Sequence, residues 1–268
     1  MKNAGRRLFN AFGLEIRKKR AEPLPRANMS GALRQLSSLG FKPATVIDVG
    51  VAMQTGELYQ EFKESKILLI EPVAEFEPFL RSVCERYKGE YVLAAAGGEP
   101  GTAFLNVHRE QLDCSSLLRE VEGPKVDGIP REVPVVTIDQ VCAEKGLAGP
   151  YLIKADVQGA ELQVLAGAER TLRETKVVIL EVTLFGTMIG GPQVYDVIVR
   201  MKQYGFVVYD IWGHNYRPYD NALAQVDMAF VREQGFFRES HVYATPEQRA
   251  GLAGTSVPGI AHMEKELR

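Results

Sequence analysis

Cysteine is scarce in this sequence, and the long apolar runs of membrane proteins are missing. The three cysteines, Cys84, Cys114 and Cys142, are widely spaced and form no CxxC pair, so we expect neither a disulfide framework nor a bound metal. No apolar run reaches the roughly 18 residues of a membrane-spanning helix, and no apolar stretch follows the basic N-terminus as in a secretory signal. These absences predict a reduced, cytoplasmic protein.

Two common nucleotide-binding motifs are also missing. The dinucleotide fingerprint G-x-G-x-x-G fails because Ala52 stands where the second glycine would follow Gly50. A phosphate-binding loop fails as well, because Gly50 and Gly56 are six residues apart and no Lys-Ser/Thr pair follows them. The sequence therefore disfavours NAD and ATP as ligands.

The charge total hides two unequal parts. The 268 residues carry a formal net charge of −2, which argues against a dedicated nucleic-acid binder. Residues 1–20 hold seven bases and one acid, a net charge of +6, which leaves −8 on the rest of the chain. We therefore divide the chain into a basic arm with a proline-containing linker (1–26), a main domain (27–235) and a C-terminal surface extension (236–268).

The N-terminal arm has the pattern of a basic amphipathic helix. On a helical wheel its apolar residues Met1, Leu8, Phe9, Phe12 and Ile16 fall on one side. Such a helix can lie on an anionic membrane surface, which would place the protein at the inner membrane face. Docking of the same arm onto the protein body or onto a partner subunit explains the pattern equally well.

From residue 44 onward, short β-branched runs alternate with longer stretches of helical period. Helices are predicted over 57–62, 74–87, 139–145, 160–173 and 194–203. A long loop is predicted over 108–131, and strands are predicted over 44–48, 66–71, 90–94, 102–107, 133–138, 151–155, 176–182, 206–211 and 224–231. This alternation predicts a doubly wound, mostly parallel α/β domain whose last two strands form an antiparallel hairpin, with ligands at the carboxyl ends of the strands.

Two strand ends carry acidic residues that suit an adenosine ligand. Asp48-Val-Gly50 ends the first strand, and Glu71-Pro72 ends the second, 23 residues after Asp48. An acid at that second strand end can accept hydrogen bonds from ribose hydroxyls. S-adenosylmethionine needs the ribose acceptor but no pyrophosphate cradle, so it fits this pattern. Ordinary capping of helix N-termini is the competing explanation for both acids.

A second cluster of polar residues follows the strand at 151–155. Asp156 and Glu161 lie on either side of Gly159, at the expected mouth of the sheet. Helix capping and stabilisation of the helix dipole explain Glu161 well and Asp156 less well. Asp156 is therefore our first candidate for a base or a ligand-binding carboxylate.

Taken in order, these motifs resemble those of FkbM-type methyltransferases. The similarity covers roughly residues 40–232 and is carried by Asp48-Val-Gly50, Glu71-Pro72, Thr137-Ile-Asp139, Lys154-Ala-Asp-Val-Gln-Gly-Ala-Glu161 and Leu180-Glu-Val182. It implies a Rossmann-like seven-stranded sheet, S-adenosylmethionine as methyl donor and, usually, O-methylation of sugars, polysaccharide ends or polyketide-type metabolites. The chain departs from the family pattern at Gln54, where glycine is common, and at Gln158, where glutamate is usual.

Candidate site residues follow from the motifs and from the resemblance. Asp156 and His214 are the candidate catalytic residues, because a hydroxyl acceptor benefits from a base; His108 is a further histidine to consider. The expected cofactor-binding residues are Asp48, Gly50, Glu71, Pro72, Ala95 and Asp156. The expected substrate-binding residues are Ser115, Ser116, Glu161 and Trp212. A polar turn at the serines and an ordinary surface loop at Trp212 remain open as alternatives.

Three hypotheses on function follow. The first is an S-adenosylmethionine-dependent O-methyltransferase acting on a small-molecule or glycan acceptor, without a nucleic-acid partner. The second is a non-catalytic binding module on the same fold, which Gln54 and Gln158 make credible. The third, a nucleotide-dependent oxidoreductase, is disfavoured by the missing glycine fingerprint.

Overall fold

The computed structural model describes residues 26–53 and 55–253. The helices are α1 (Met29–Ser38), α2 (Gly56–Glu61), α3 (Glu77–Arg86), α4 (Ile138–Glu144), α5 (Glu161–Ala166), α6 (Glu169–Glu174), α7 (Val194–Gln203) and α8 (Pro246–Ala253). The strands are β1 (Thr45–Val49), β2 (Lys66–Ile70), β3 (Gly89–Val92), β4 (Ala95–Ala96), β5 (Gly101–Val107), β6 (Ile129–Val136), β7 (Tyr151–Ala155), β8 (Thr175–Thr183), β9 (Phe206–Tyr216) and β10 (Leu223–Arg232). Short 3-10 turns lie at Ala74–Phe76, Leu112–Cys114 and Phe236–Arg238.

Seven strands form one sheet in the order β3-β2-β1-β7-β8-β10-β9. β1 pairs in parallel with β2 and β7, and β8 continues the parallel set beside β7. β10 is antiparallel to both β8 and β9, so the predicted C-terminal hairpin is confirmed. The predicted doubly wound, mostly parallel α/β class is confirmed as well.

The strand order reverses between β1 and β7, and this reversal positions the site. The chain steps outward from β1 to β2 and β3, and then returns to the other side of β1 with β7 and β8. The connections above these two strands leave in opposite directions, which opens a crevice at their carboxyl ends. Gly50 and Asp156 are the first residues beyond β1 and β7, so both lie at that crevice.

Helices cover both faces of the sheet, because the central strands are apolar on both sides. Ile47 and Ile153 face the side of α4 to α7, where they pack with Leu165 and Met201. Val46 and Leu152 face the side of α1 to α3. This continuous apolar character is typical of parallel strands buried on both faces, and it explains why the sequence signal was clear there.

A second, three-stranded sheet corrects the prediction for the middle of the chain. The strand predicted over 133–138 begins at Ile129 and does not join the main sheet; it pairs antiparallel with β5 and, over two residues, parallel with β4. The loop predicted over 108–131 therefore ends before residue 129. Pro130 suggested a loop, but it has a neighbouring strand on one side only, where a missing N–H need not interrupt the ladder.

The single helix predicted over 160–173 is two helices. Gly167 lies between α5 and α6, close to the backbone of Gly97. A Cβ on Gly167 would lie 2.0 Å from the carbonyl oxygen of Gly97, so only glycine fits at this position. The carboxylate of Asp139 then accepts hydrogen bonds from the backbone N–H groups of Arg170 and Thr171, both at 2.8 Å. These bonds cap the start of α6, so a motif acid serves the scaffold here.

Several expectations fall on residues that the structure does not describe. The basic amphipathic arm and Gln54 lie outside the described residues, as does the part of the predicted extension after residue 253. Across 26–53 and 55–253, no helix has the length and apolar character needed to cross a bilayer. The division at 26 and 235 and the membrane contact of residues 1–20 stay predictions.

Candidate active site

A cavity of about 450 Å³ opens at the carboxyl ends of β1, β2, β7 and β8. One of its walls is formed by the turn after β1 and the residues after β2, and it includes Gly50, Glu71 and Pro72. The opposite wall carries polar side chains from the other half of the sheet: Asp156, Gln158, Glu181, Asn215 and Gln225. We call these the donor wall and the acceptor wall, after the methyl donor and the methyl acceptor that the sequence motifs predict; the names do not refer to hydrogen bonds.

The turn after β1 lies directly against the turn after β7. Gly50 has a φ of +72°. A Cβ at this position would stand 1.8 Å from the carbonyl oxygen of Asp156. The glycine of the Asp48-Val-Gly50 motif is thus required by the contact between two strand ends as well as by any ligand.

Glu71 is held by the backbone on both sides of its carboxylate. Its Oε2 accepts a hydrogen bond from the N–H of Ala52 at 3.0 Å, and its Oε1 accepts one from the N–H of Val73 at 2.8 Å. Burial raises the pKa of Glu71, while these N–H groups and the charge of Lys154 oppose the rise. The side chain is 4% exposed, and what remains open faces the cavity.

Lys154 connects the two walls beneath the cavity. Its Nζ lies 3.3 Å from Asp48 Oδ1 and 3.7 Å from Asp156 Oδ2, and it donates a hydrogen bond to the carbonyl oxygen of Gly50 at 3.0 Å. Burial alone would lower the pKa of Lys154, but the charges of Asp48 and Asp156 outweigh it and raise that pKa. The hydroxyl of Tyr59 donates to Asp48, so the buried carboxylate has a partner on either side.

The acceptor wall is a chain of carboxyl and amide groups. Gln158 Nε2 donates to Asp156 Oδ1 at 2.9 Å and to Glu181 Oε2 at 3.1 Å. Gln225 Nε2 donates to the same Glu181 oxygen at 3.0 Å, and Asn215 Nδ2 donates to Gln225 Oε1 at 3.0 Å. The strand register makes this possible, because Gln225 lies beside Asn215 on β9 and next to the end of β8.

Like charges raise the pKa values of the carboxyl groups in this region. Burial, followed by the negative charges of Asp156 and Asp227, raises the pKa of Glu181 to about 8. Burial and Asp156 also raise the pKa of Asp227 to about 6. Carboxyl groups with raised pKa values in a cleft are typical of functional sites.

The segment from Leu112 to Leu117 forms a roof over the cavity. Ser115 lines the cavity, and its hydroxyl donates to the carbonyl oxygen of Leu112 at 2.7 Å. The Ser116 hydroxyl donates instead to the carbonyl oxygen of Gln158 at 2.7 Å, which fastens the roof to the acceptor wall. Gln158 adopts a φ of +52° at this contact, a conformation that few residues other than glycine accept.

Comparison with known protein families identifies the chain. The family model described as the methyltransferase FkbM domain matches residues 51–208, more than half of the sequence. The chain belongs to the FkbM methyltransferase family. This is a family of S-adenosylmethionine-dependent methyltransferases, as the sequence motifs indicated.

Solved structures similar to this FkbM-type chain are distant methyltransferases. Precorrin-6y C5,15-methyltransferase from Geobacter metallireducens is 12% identical, with 80% of this chain and 92% of that one covered and a TM-score of 0.39. The 1,6-didemethyltoxoflavin N1-methyltransferase of Burkholderia thailandensis is 14% identical over 86% of this chain and 83% of its own, with a TM-score of 0.41. A putative RNA methyltransferase from Pyrococcus horikoshii is 14% identical over 76% and 83%, also with a TM-score of 0.41. A search of curated proteins finds no significant match.

Several of the residues predicted for the site do line the cavity of this FkbM-type protein. Gly50, Glu71, Pro72 and Ala95 lie on the donor wall, where the cofactor was expected. Asp156 lies on the acceptor wall and Ser115 lies in the roof. Their roles in binding and catalysis stay predictions, but the cavity brings them together.

Three other predicted residues lie beside the cavity and serve the scaffold. Asp48 is fully buried beneath Lys154 and reaches the cavity only through that side chain. Ser116 fastens the roof, as described. Glu161 is buried, and its Oε1 accepts hydrogen bonds from the N–H groups of Val157 at 3.2 Å and Gly159 at 3.0 Å, so the capping explanation fits its contacts.

Two of the predicted site residues, His214 and Trp212, do not line the cavity. Both lie on β9, but Asn215 is the residue of this segment that lines the cavity. His214 is exposed and does not line the cavity. Trp212 is only 1% exposed and packs in the core with Ile179 and Val231, so it cannot form an acceptor wall. His108 lines no part of the cavity either; its Nε2 lies 3.3 Å from Glu120 Oε1.

Glu181, Gln225 and Asn215 were not predicted as site residues. Glu181 gave a signal, because it is the one acid in the apolar run Val177–Val182, near the end of a predicted strand. Asn215 and Gln225 gave none, since their position depends on β10 inserting between β8 and β9. In the described part of the chain, no group of three His, Cys, Asp or Glu side chains is placed to hold a metal ion.

Proposed function

We propose that this FkbM-family protein transfers a methyl group from S-adenosylmethionine to a hydroxyl group of a sugar, polysaccharide or secondary-metabolite acceptor. The observation that carries the choice of acceptor is the composition of the acceptor wall. Two carboxyl groups and three amide side chains line it; the carboxylates accept hydrogen bonds, and the amides both donate and accept them. Such groups suit a neutral acceptor with several hydroxyls.

The donor wall fits the adenosine part of the methyl donor. The backbone hydrogen bonds to Glu71 fix its carboxylate at the cavity, where ribose hydroxyls can donate to it. Apolar side chains beside Glu71 offer a surface for a purine: Val73, Phe76, Ala95, Leu105 and Leu112. The residues present therefore match the two chemical halves of an adenosine.

Asp156 is the residue we assign as proton acceptor for the substrate hydroxyl. The bound donor supplies an activated methyl group, so the protein has mainly to align the acceptor oxygen and to take up its proton. Lys154 and Gln158 fix Asp156 from two sides, at 3.7 Å and 2.9 Å. Gln158, Gln225 and Asn215 are left to orient the acceptor by hydrogen bonds.

Ligand binding tests the first half of this proposal. We expect S-adenosylmethionine and S-adenosylhomocysteine to raise the melting temperature of the protein, and NAD to have no effect. Absence of stabilisation by either adenosyl ligand would contradict the donor assignment.

Turnover tests the second half. The protein would be incubated with S-adenosylmethionine and a panel of neutral sugars, oligosaccharides and hydroxylated aromatic compounds, with primary amines as controls, while release of S-adenosylhomocysteine is followed. We expect the wild type to methylate at least one hydroxyl compound and the Asp156→Asn variant to have lost this activity. Methylation of the amines alone would refute O-methylation, and adenosyl binding without any turnover would favour the non-catalytic binding module.

A further inference from the structure

A single amide nitrogen holds the two carboxyl groups of the acceptor wall together. Gln158 Nε2 donates to Asp156 at 2.9 Å and to Glu181 at 3.1 Å. Gln225 adds a second donor at the same Glu181 oxygen, Oε2. The hydrogen bonds among the described residues leave Oε1 of Glu181 without a donor, and the side chain lines the cavity. Glu181 thus has one fixed oxygen and one available oxygen.

Acidic groups lie near Glu181 on three neighbouring segments. Asp227 is its register partner on β10, Asp156 follows β7, and Glu161 begins α5. Burial raises the pKa of the Cys114 thiol in the roof, and the charges of Asp113, Glu120, Glu181 and Asp156 add to this rise in decreasing order. Within the described residues, no lysine or arginine forms an ion pair with Glu181; Lys154 is engaged by Asp48 at 3.3 Å and by Asp156 at 3.7 Å.

Two carboxyl groups bridged by one amide nitrogen do not both ionise easily when only one of them, Asp156, has a cation beside it. One of them keeps a proton, and the burial of Glu181 favours that residue as its holder. The pKa of about 8 for Glu181 agrees with this geometry. Without a cationic ligand, the proton of the pair therefore stays on Glu181 at neutral pH, and Glu181 is not free to take up another.

We propose that Asp156 and Glu181 act together as the proton acceptor of the reaction, and that the pair gains this capacity only when a cationic methyl donor binds in the cleft. The inference rests on the proposed function, because it requires a sulfonium ligand. A positive charge in the same cavity of about 450 Å³ favours the doubly ionised pair, so the shared proton leaves to solvent on binding. Glu181 is then a second catalytic residue beside Asp156.

The proton count closes over one cycle. During transfer the acceptor O–H bond breaks and its proton moves to the carboxylate pair, while the oxygen forms its bond to the methyl carbon. The bond between sulfur and the methyl carbon breaks, and its electron pair stays on sulfur. The sulfur product is neutral, so the pair returns to its one-proton state with no co-reactant needed.

The experiment measures how pH changes the preference for the cationic donor over the neutral product. Dissociation constants of S-adenosylmethionine and S-adenosylhomocysteine would be determined by calorimetry from pH 6 to 9 for the wild type and for Glu181→Gln. For the wild type we expect the preference for S-adenosylmethionine to rise by up to about tenfold per pH unit below pH 8. For Glu181→Gln we expect this rise in preference with pH to be lost. The ligands' own ionisable groups titrate in the same way with both proteins, so their effect cancels when the two proteins are compared.

Two matched measurements keep the test decisive. Glu64→Gln, an exposed change on the far surface, should retain the wild-type pH dependence. If Glu181→Gln does not fold, titration of the wild type in two buffers of different ionisation enthalpy should show proton release with S-adenosylmethionine beyond that with S-adenosylhomocysteine at pH 7.

The outcomes separate the two proposals. Equal pH dependence in the wild type and Glu181→Gln, or equal proton release with both ligands, would overturn the role of the carboxyl pair. Absence of binding by both ligands would overturn the proposed function itself.

Discussion

The donor wall and the acceptor wall of the cavity are built on different principles. On the donor wall, backbone N–H groups of neighbouring turns hold Glu71, and each of its oxygens has a partner. On the acceptor wall, side chains hold one another, and Glu181 depends on amide groups from two distant segments. The arrangement of the first wall is fixed by backbone geometry, whereas single substitutions can alter an arrangement that side chains hold.

Lys154 is the element that the two walls share, and its removal should have the largest effect. Lys154→Met leaves the fully buried Asp48 without its cation, since Tyr59 alone remains as a donor. Breaking a buried ion pair in this way costs about 3–5 kcal/mol. We expect the free energy of unfolding measured with urea to fall by about that amount. As a control, Lys145→Met removes a surface ion pair with Glu90 and should cost no more than about 1 kcal/mol. Equal losses in the two variants would show that Lys154 does not stabilise the contact between the two walls.

Glu71→Ala tests the donor wall alone. The change removes the acceptor we assign to the ribose hydroxyls and leaves the N–H groups of Ala52 and Val73 without their partner. Loss of two hydrogen bonds to a charged group corresponds to about 3 kcal/mol, or roughly a hundredfold weaker binding of S-adenosylhomocysteine by calorimetry. Glu75→Ala is a suitable control, because Glu75 lies nearby but pairs with Arg131 outside the cavity. Unchanged affinity in Glu71→Ala would remove the ribose assignment.

The pH dependence of stability tests the acidic surroundings of the acceptor wall. Burial raises the pKa of Glu161 from 4.5 to about 7, so the folded protein keeps a proton that the unfolded chain loses. The folded state therefore binds more protons between these values, and the free energy of unfolding falls as pH rises through them. Glu161→Gln keeps the acceptor oxygen for Val157 and Gly159 but cannot titrate.

We expect the variant to gain, relative to the wild type, about 3 kcal/mol in the free energy of unfolding between pH 4.5 and 8, measured with urea. Glu64→Gln should show no such relative gain, because its side chain is exposed. If the free energies of unfolding of the wild type and Glu161→Gln changed with pH in parallel, the buried carboxyl group of Glu161 would not be the cause of the fall in stability with rising pH.

The same difference between the walls decides how much could be predicted from sequence. The donor wall is made by consecutive residues after two strands, so Asp48-Val-Gly50 and Glu71-Pro72 located it directly. The parallel strands were predicted well because burial on both faces makes them continuously apolar. Gly50 was predicted correctly at the cavity, but its contact with the carbonyl of Asp156 requires knowledge of how β1 and β7 pair.

Local sequence patterns could not predict which residues form the acceptor wall. Gln225 reaches Glu181 because β10 inserts between β8 and β9, and strand order is not encoded in any single run of residues. Trp212 and His214 suggested a substrate loop by composition, but the pairing of β9 with β10, whose register shifts between Trp212 and Asn215, decides which residues line the cavity. The small sheet of β4, β5 and β6 was missed because Pro130 has the appearance of a loop residue when its pairing is unknown.

The smallest expected effect distinguishes two neighbours on β9. Asn215 lines the cavity and donates to Gln225 at 3.0 Å, whereas the exposed His214 does not line it. With whichever acceptor of the panel is methylated, Asn215→Ala should raise the acceptor KM about two- to tenfold, the range of one lost hydrogen bond. His214→Ala should leave kcat and KM within about twofold of the wild type, as for other surface changes. If His214→Ala instead lowered kcat strongly while Asn215→Ala had no effect, His214 would be the base, and the assignment of Asn215 as the β9 residue that contacts the acceptor would be wrong.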